Sequence, residues 1–306
     1  MVVGLQNNII MRYAFFILLF IGELLEISAQ QESKIIASGA RLQLIDSGFQ
    51  FTEGPAVAPD GSVFFTDQPN DRIYKWTEGK GVAVFLEGTG RSNGLYFDND
   101  GKLLACADEK NQIWKFDDNK DHVVIVNGFE GKRLNGPNDL WIDPKGGIYF
   151  TDPFYKRPYW SHGEKEIEEE NVYYILPNQS KVITVAEDLV RPNGIVGTSN
   201  GKKLFVADIG DKKTYSFDIG KNGTLSNKTI FANMGSDGMT IDNRGNLYIT
   251  GKGVTVFDKK GNKIEEIEVN EPWTANVCFG GRDQSQLFIT ASKSVYTLNM
   301  KVRGIR

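Results

Sequence analysis

Between residues 40 and 300 the apolar positions fall into short runs, rich in aromatic and β-branched residues, separated by turns that contain Gly and Asp. Such runs read as antiparallel strands, because branched and aromatic side chains suit a pleated surface and Gly and Asp suit the turns between strands. The stretch at 236–250, SDGMTIDNRGNLYIT, shows the unit most plainly. An acid, Asp237, precedes a short apolar strand from Met239 to Ile241; a turn follows, and then a second strand with Leu247, Tyr248 and Ile249. Five other segments align on the same turn: PDGSVFFTD from Pro59, NDGKLLACAD from Asn99, PKGGIYFTD from Pro144, SNGKKLFVAD from Ser199 and RDQSQLFITA from Arg282. The six repeats continue into further β-rich runs (RIYKW, QIWKF, NVYYI, KTYSF, VTVF, SVYTL), and a fourth run follows most of these, as at 82–85, 123–126 and 182–185.

The unit is therefore a four-stranded antiparallel meander of roughly forty residues, repeated six times, which is the signature of an all-β, six-bladed β-propeller. An α/β fold would need long amphipathic helices between the strands, and the pattern offers none over this stretch. The last repeat shows three strands, beginning near Asn276, Gln286 and Ser294, while the run at 41–45 has no place in the first repeat. This N-terminal run is expected to supply the missing strand, closing the ring and removing an exposed sheet edge.

The unbroken repeat makes the rest of the 306 residues one domain, from 30 to 306. Residues 12–29, RYAFFILLFIGELLEISA, pair a positive flank with a short apolar core and a small residue at the end, the pattern of a signal peptide spanning 1–29. The core is too short for a spanning helix, and the first ten residues carry no positive charge, so translation from Met11 is an alternative to Met1. The expectation is an exported protein, periplasmic or secreted, with no stable membrane insertion after cleavage. A formal charge of −4 without a basic stripe argues against nucleic acid as a partner. The two cysteines, Cys106 and Cys278, fall in distant blades and read as buried small apolar residues instead of a disulfide.

Candidate chemistry appears when the residue just before the first strand is compared across repeats. It is Glu53, Asn93, Asn138, Asn193, Asp237 and Asn276: two carboxylates and four carboxamides. Equivalent positions in a propeller converge on the axis, so these side chains are expected to meet at one mouth of the channel. Asn and Asp are common at strand starts for local reasons. The sharper reading is a hard-cation site, because Ca²⁺ takes oxygen ligands and two carboxylates balance a divalent charge. Both histidines lie outside the ring, which disfavours an imidazole-ligated zinc centre.

The segments EGPAVAPDG, RLNGPNDL, GGIYFTDP, RPNGI, SDGMTIDNRGNLYITG and ANVCFGG, in this order, resemble the SMP-30/gluconolactonase family of six-bladed propeller lactonases over about residues 45–300. The resemblance implies one divalent metal held by Glu53, Asn138, Asn193 and Asp237, calcium first, with Mg²⁺, Mn²⁺ or Zn²⁺ as alternatives. It implies opening of a lactone, with Asp237 as both ligand and general base. Asn93 and Asn276 would then back the ligands or face the substrate.

Strand direction places further groups on the same face: Asp67, Asp152 and Asp208, the segment Lys132–Arg133, and the long connection PFYKRPYWSHGEKEIEEE after Asp152. Long loops in compact folds shape pockets, which makes Tyr155 a substrate-facing candidate. Arg133 either binds hydroxyl or carboxylate groups of a sugar acid or lies on the plain surface. The expected partner is a small-molecule lactone. The rival readings are a phosphoester or organophosphate hydrolase on the same metal, and a non-catalytic propeller stabilised by calcium. Nothing in the chain bears on oligomeric partners.

Overall fold

The computed structural model describes residues 32–179 and 181–305, and its main compact unit begins at Ile35. The leader expected at 1–29 lies outside the described residues. No helix among the described residues is long and apolar enough to cross a membrane.

Among the described residues the strands form six four-stranded sheets, each a simple antiparallel meander. The innermost strands are Thr52–Val57, Ser92–Phe97, Leu140–Ile142, Pro192–Gly197, Met239–Ile241 and Thr274–Gly280. Each touches the innermost strand on either side, and the sixth returns to the first, so the ring is closed. The sixth blade takes its outer strand, Gln43–Ser47, from the N-terminal side, paired antiparallel with Ser294–Asn299. The closure expected from the unassigned run at 41–45 is the one observed.

Burial explains the apolar pattern. Second strands such as Val63–Asp67 and Leu103–Ala107 are buried on both faces, so both alternations along them are apolar or small. Outer strands such as Leu225–Ala232 are largely exposed, and polar residues occupy them. Turns between first and second strands repeat one device: Asp98, Asp143 and Asp242 each accept the amides two and four residues on, at 2.7–3.0 Å. Cys106 and Cys278 are both free and buried.

Candidate active site at the channel mouth

In four blades the ring residue lies inside its innermost strand, and there the pairing with the second strand slips. The slips fall between Glu53 and Ala56, Ser92 and Leu95, Pro192 and Ile195, and Thr274 and Asn276. A bulge of this kind bends the strand and re-aims a side chain. In the other two blades Asn138 and Asp237 precede strands that begin only at Leu140 and Met239. The expectation that all six residues sit just ahead of their strands is thus corrected for four of them: pairing resumes beyond the ring residue at Ala56, Leu95 and Ile195, and at Asn276 itself in the sixth blade.

The residue after the ring position is Gly in four blades because the next blade leaves no room for a side chain. A Cβ on Gly54 would stand 2.0 Å from the Asn93 carbonyl oxygen, and one on Gly238 would stand 1.9 Å from the Asn276 carboxamide carbon. Threonines of the second strands fasten the same backbone from behind. Thr66 Oγ1 donates to the Asn93 carbonyl at 3.1 Å, Thr151 Oγ1 to that of Asn193 at 2.7 Å, and Thr250 Oγ1 to that of Ala275 at 2.8 Å. The blades are stapled to one another at the level of the ring.

Glu53, Asn193, Asp237 and Asn276 meet in one cluster, and Asp139 joins it. The Trp273 indole N–H donates to Asp237 Oδ2 at 2.7 Å, and the Asn193 side chain and Glu53 also hydrogen-bond the Asp237 carboxyl. Asn276 accepts the Val277 amide on Oδ1 at 2.8 Å, and its side chain bonds both Glu53 and Asp139. Asn193 Nδ2 donates to Tyr155 Oη at 3.0 Å, which brings the insert to the ring. Asn93 and Asn138 are buried at the equivalent positions of their blades.

Burial, and then the neighbouring Asp237, hold the Glu53 carboxyl well above its ordinary value. Burial pushes Asp139 up to about 7, against the Leu140 amide and the Asn276 side chain. Asp237 is also raised by burial, opposed by Trp273, Asn193 and the charge of Arg157. Protein atoms crowd its carboxyl group, yet Asp237 keeps part of its surface open to solvent, whereas Glu53 is only 4% exposed. Asp237 is the ring acid that faces the mouth.

Other expected residues have different duties. Arg133 is engaged by the insert, pairing with Glu166 at 2.7 Å and donating to the Glu164 carbonyl at 3.1 Å. Asp67, Asp152 and Asp208 do lie at this end, but as fastenings: Asp152 accepts the Asn135 and Gly136 amides at 2.9 and 2.8 Å, and Asp208 those of Val190 and Arg191 at 2.8 and 2.9 Å. Each pins the loop that leads into its own blade.

Three residues at the site were not read from the sequence: Asp139, Trp273 and Arg157. Asp139 carried a signal, since it stands where four other blades have Gly. Trp273 lies on the loop into the sixth blade's first strand, where no other blade has Trp, and Arg157 is one of several cations in mouth loops, with no pattern to rank it. Beneath the ring, a cavity of about 660 Å³ runs down the channel between the innermost strands to the Gly304–Ile305 tail and reaches the cluster at Asp139 and Asn276. The cavity and the open side of Asp237 are on opposite sides of the ring.

The donor set fits a hard cation. Asn193 Oδ1 is buried without a hydrogen-bond partner, and the carboxylates of Glu53 and Asp237 are crowded together, an arrangement that a divalent cation would satisfy. No group of three or more His, Cys, Asp or Glu suited to a metal occurs among the described residues. A cation at the ring would therefore rely on carboxamide oxygens as well as carboxylates.

Comparison with known proteins agrees with this architecture. The family model for the SMP-30/gluconolactonase/LRE-like region matches residues 51–293. A gluconolactonase of Zymomonas mobilis is 29% identical over an alignment covering 93% of this chain and 88% of that protein. The solved gluconolactonase of Xanthomonas campestris is 28% identical with a TM-score of 0.82, covering 87% of this chain and 91% of that one. A calcium-binding regucalcin from Agrobacterium tumefaciens, at 19% identity and a TM-score of 0.74, shares the fold over 87% of this chain and 96% of its own.

Proposed function

The chain belongs to the SMP-30/gluconolactonase family, and on that premise we propose that it is a hydrolase that opens a sugar lactone or related cyclic ester at the channel mouth, dependent on a divalent cation. The observation that carries this reading is the cluster itself: Asp237 open to the mouth, backed by buried Glu53 and by an Asn193 carboxamide oxygen with no partner. Glu53, Asn138, Asn193 and Asp237 would hold the cation, with calcium the best match to an all-oxygen set. Bound there, it would supply Lewis-acid polarisation of the ester carbonyl and stabilisation of the charge that develops on its oxygen.

The chain's own residues do the rest. Trp273 fixes Asp237 Oδ2 through its indole N–H, so the carboxylate presents one orientation to the mouth. Asp237 takes the proton of the attacking water, and the resulting acid returns it to the ring oxygen as the carbon–oxygen bond breaks. Tyr155, fixed on Asn193, walls the site on the insert side. The leader-like pattern at 12–29 adds that the protein works outside the cytoplasm, in the periplasm or the medium.

The test is a purified protein with its metal content measured, assayed on a panel of lactones and phosphoesters with and without chelator. Chelator-sensitive lactone opening supports the proposal. Turnover of phosphoesters alone would move the assignment to phosphoester hydrolysis, and metal binding without any turnover would leave a calcium-stabilised binding propeller.

A further inference from the structure

The mouth beside Asp237 is cationic in a way that opening a neutral lactone does not call for. Arg157 stands on the insert, and Arg191 lies two residues ahead of Asn193. Their guanidinium carbons are 5.4 and 5.2 Å from the centre of the Tyr155 ring, and Tyr155 Oη accepts from Asn193 Nδ2 at 3.0 Å. Both cations are thus one side chain away from the ring. The charge of Arg157 also reaches Asp237, whose carboxyl it lowers.

Neither guanidinium is saturated. Arg157 Nε lies 3.2 Å from Asp108 Oδ2, yet that buried nitrogen is not aligned for a hydrogen bond. Arg191 has one acidic neighbour, Glu170, at 4.0 Å, and Glu170 is itself held by Lys165 at 2.8 Å. Each fork has five N–H donors, so most of them are left for a ligand. Fastening the insert does not require Arg157, because Tyr159 Oη donates to the Asp108 carboxylate and Trp160 Nε1 to its carbonyl oxygen at 2.9 Å. A planar guanidinium fork matches an anionic oxygen pair far better than sugar hydroxyls.

We propose that the mouth selects a lactone bearing a free anionic group, with Arg157 binding that group and Arg191 beside it. The inference rests on the lactonase reading and names its substrate class. A carboxylate and a phosphate present the same chemistry to the fork, and the assay separates them.

Three probes are compared at equal metal: glucono-1,5-lactone (neutral), glucaro-1,4-lactone (carboxylate) and 6-phosphoglucono-1,5-lactone (phosphate). At least one anionic lactone is expected to exceed the neutral one in kcat/KM by about tenfold or more, mainly through KM. Arg157→Gln is expected to lower the preferred anionic lactone by about 10–100-fold, and the neutral one by at least tenfold less. Arg157→Lys should recover part of this difference, since it keeps the charge but not the fork. Calorimetry supplies a readout apart from turnover: the open-chain dicarboxylate glucarate should bind the parent protein more tightly than gluconate, and Arg157→Gln should abolish the difference. Equal handling of neutral and anionic lactones by the parent, or equal loss of both in Arg157→Gln, overturns the inference and leaves the lactonase reading in place. A metal-loaded protein that opens none of the three overturns both.

Discussion

Two sets of buried acids occupy the mouth end of the propeller, and the fold treats them in opposite ways. Asp67, Asp152 and Asp208 are each held by backbone amides of nearby loops. Asp67 accepts the Gln50 and Phe51 amides and Asn70 Nδ2, and Asp208 accepts the amides of Val190, Arg191 and Asp211. The ring acids receive far less from the backbone: Glu53 accepts the Gly54 amide, and Asp237 is held by side chains, chiefly Trp273. A carboxylate tied to backbone amides is part of the scaffold, because no rotation can release it. A carboxylate tied to side chains, crowded by another acid and partly open, is available to a cation, a water molecule or a substrate. Burial alone does not separate the two sets; the source of the hydrogen bonds does.

The largest effect expected from this contrast is at Asp237. Asp237→Asn should depress lactone turnover by about 10²–10⁴-fold even at saturating divalent cation, because the amide cannot accept a proton. Asn193→Ala removes a neutral oxygen, and added metal should restore much of its activity. Equal rescue of both variants, in a titration of activity against calcium, would take Asp237 out of the proton transfer. Glu53→Gln should lower divalent affinity at least about tenfold by calorimetry, since one of two charges is lost. Without metal the same variant should melt no lower than the parent, because it relieves a buried, crowded acid.

The fastening acids predict the reverse: stability falls and chemistry stays. Burial pushes Asp152 up to about 7 despite its two amide donors. The native carboxyl then keeps its proton over a range in which the unfolded chain, with an ordinary aspartate, has released it. Stability should therefore be highest below about pH 4 as far as this group is concerned, fall by about 1.4 kcal/mol per pH unit at the steepest, and level off above about pH 7. Asp152→Asn should flatten that slope in denaturant titrations taken across the window, and an unchanged slope would show that Asp152 titrates normally. Asp208→Asn should cost about 1–3 kcal/mol, because its amide group cannot accept all three backbone donors. Activity per folded molecule should hold within about threefold, as expected for a substitution that touches no reacting group.

The contrast also marks what a sequence displays. Blade number and ring closure by the strand near Gln43 were both legible, because each depends on a period repeated along the chain. The Gly after the ring residue is legible for the same reason, and its replacement by Asp139 in one blade is a break in the period. What could not be read was whether an acid is filled. Asp152 and Asp237 both stand beside strands, and only the path of the preceding loop decides that backbone amides reach one and not the other. Arg133 and Arg157 show the same limit, since both lie in mouth loops and the insert's own Glu166 engages the first. Trp273 sits on the connection into the sixth blade's first strand, and no other blade has Trp at the equivalent place, so periodicity carried no information about it.

The smallest effect lies where the two regions meet, at the threonines behind the ring. Thr151 Oγ1 donates to the Asn193 carbonyl at 2.7 Å and takes the Asp139 amide at 3.2 Å. One hydroxyl therefore joins the backbones of a ring residue and of the acid beneath the ring. Thr151→Val keeps the shape and removes both bonds, leaving a buried carbonyl and a buried amide without this partner. The cost should be about 1–2 kcal/mol of stability. A purely structural staple would stop there. If the hydroxyl also holds Asn193 in register with Asp237, divalent affinity should weaken by a further few-fold, because ligand orientation is set by what lies behind the ligand. Cys106 and Ala207 occupy the equivalent places in two other blades without a hydroxyl, so the propeller closes without a complete set of staples. A Thr151→Val protein that melts lower but binds calcium as the parent does would assign this threonine to the scaffold. One that loses both would place it, alone among the second-strand residues, on the side of the site.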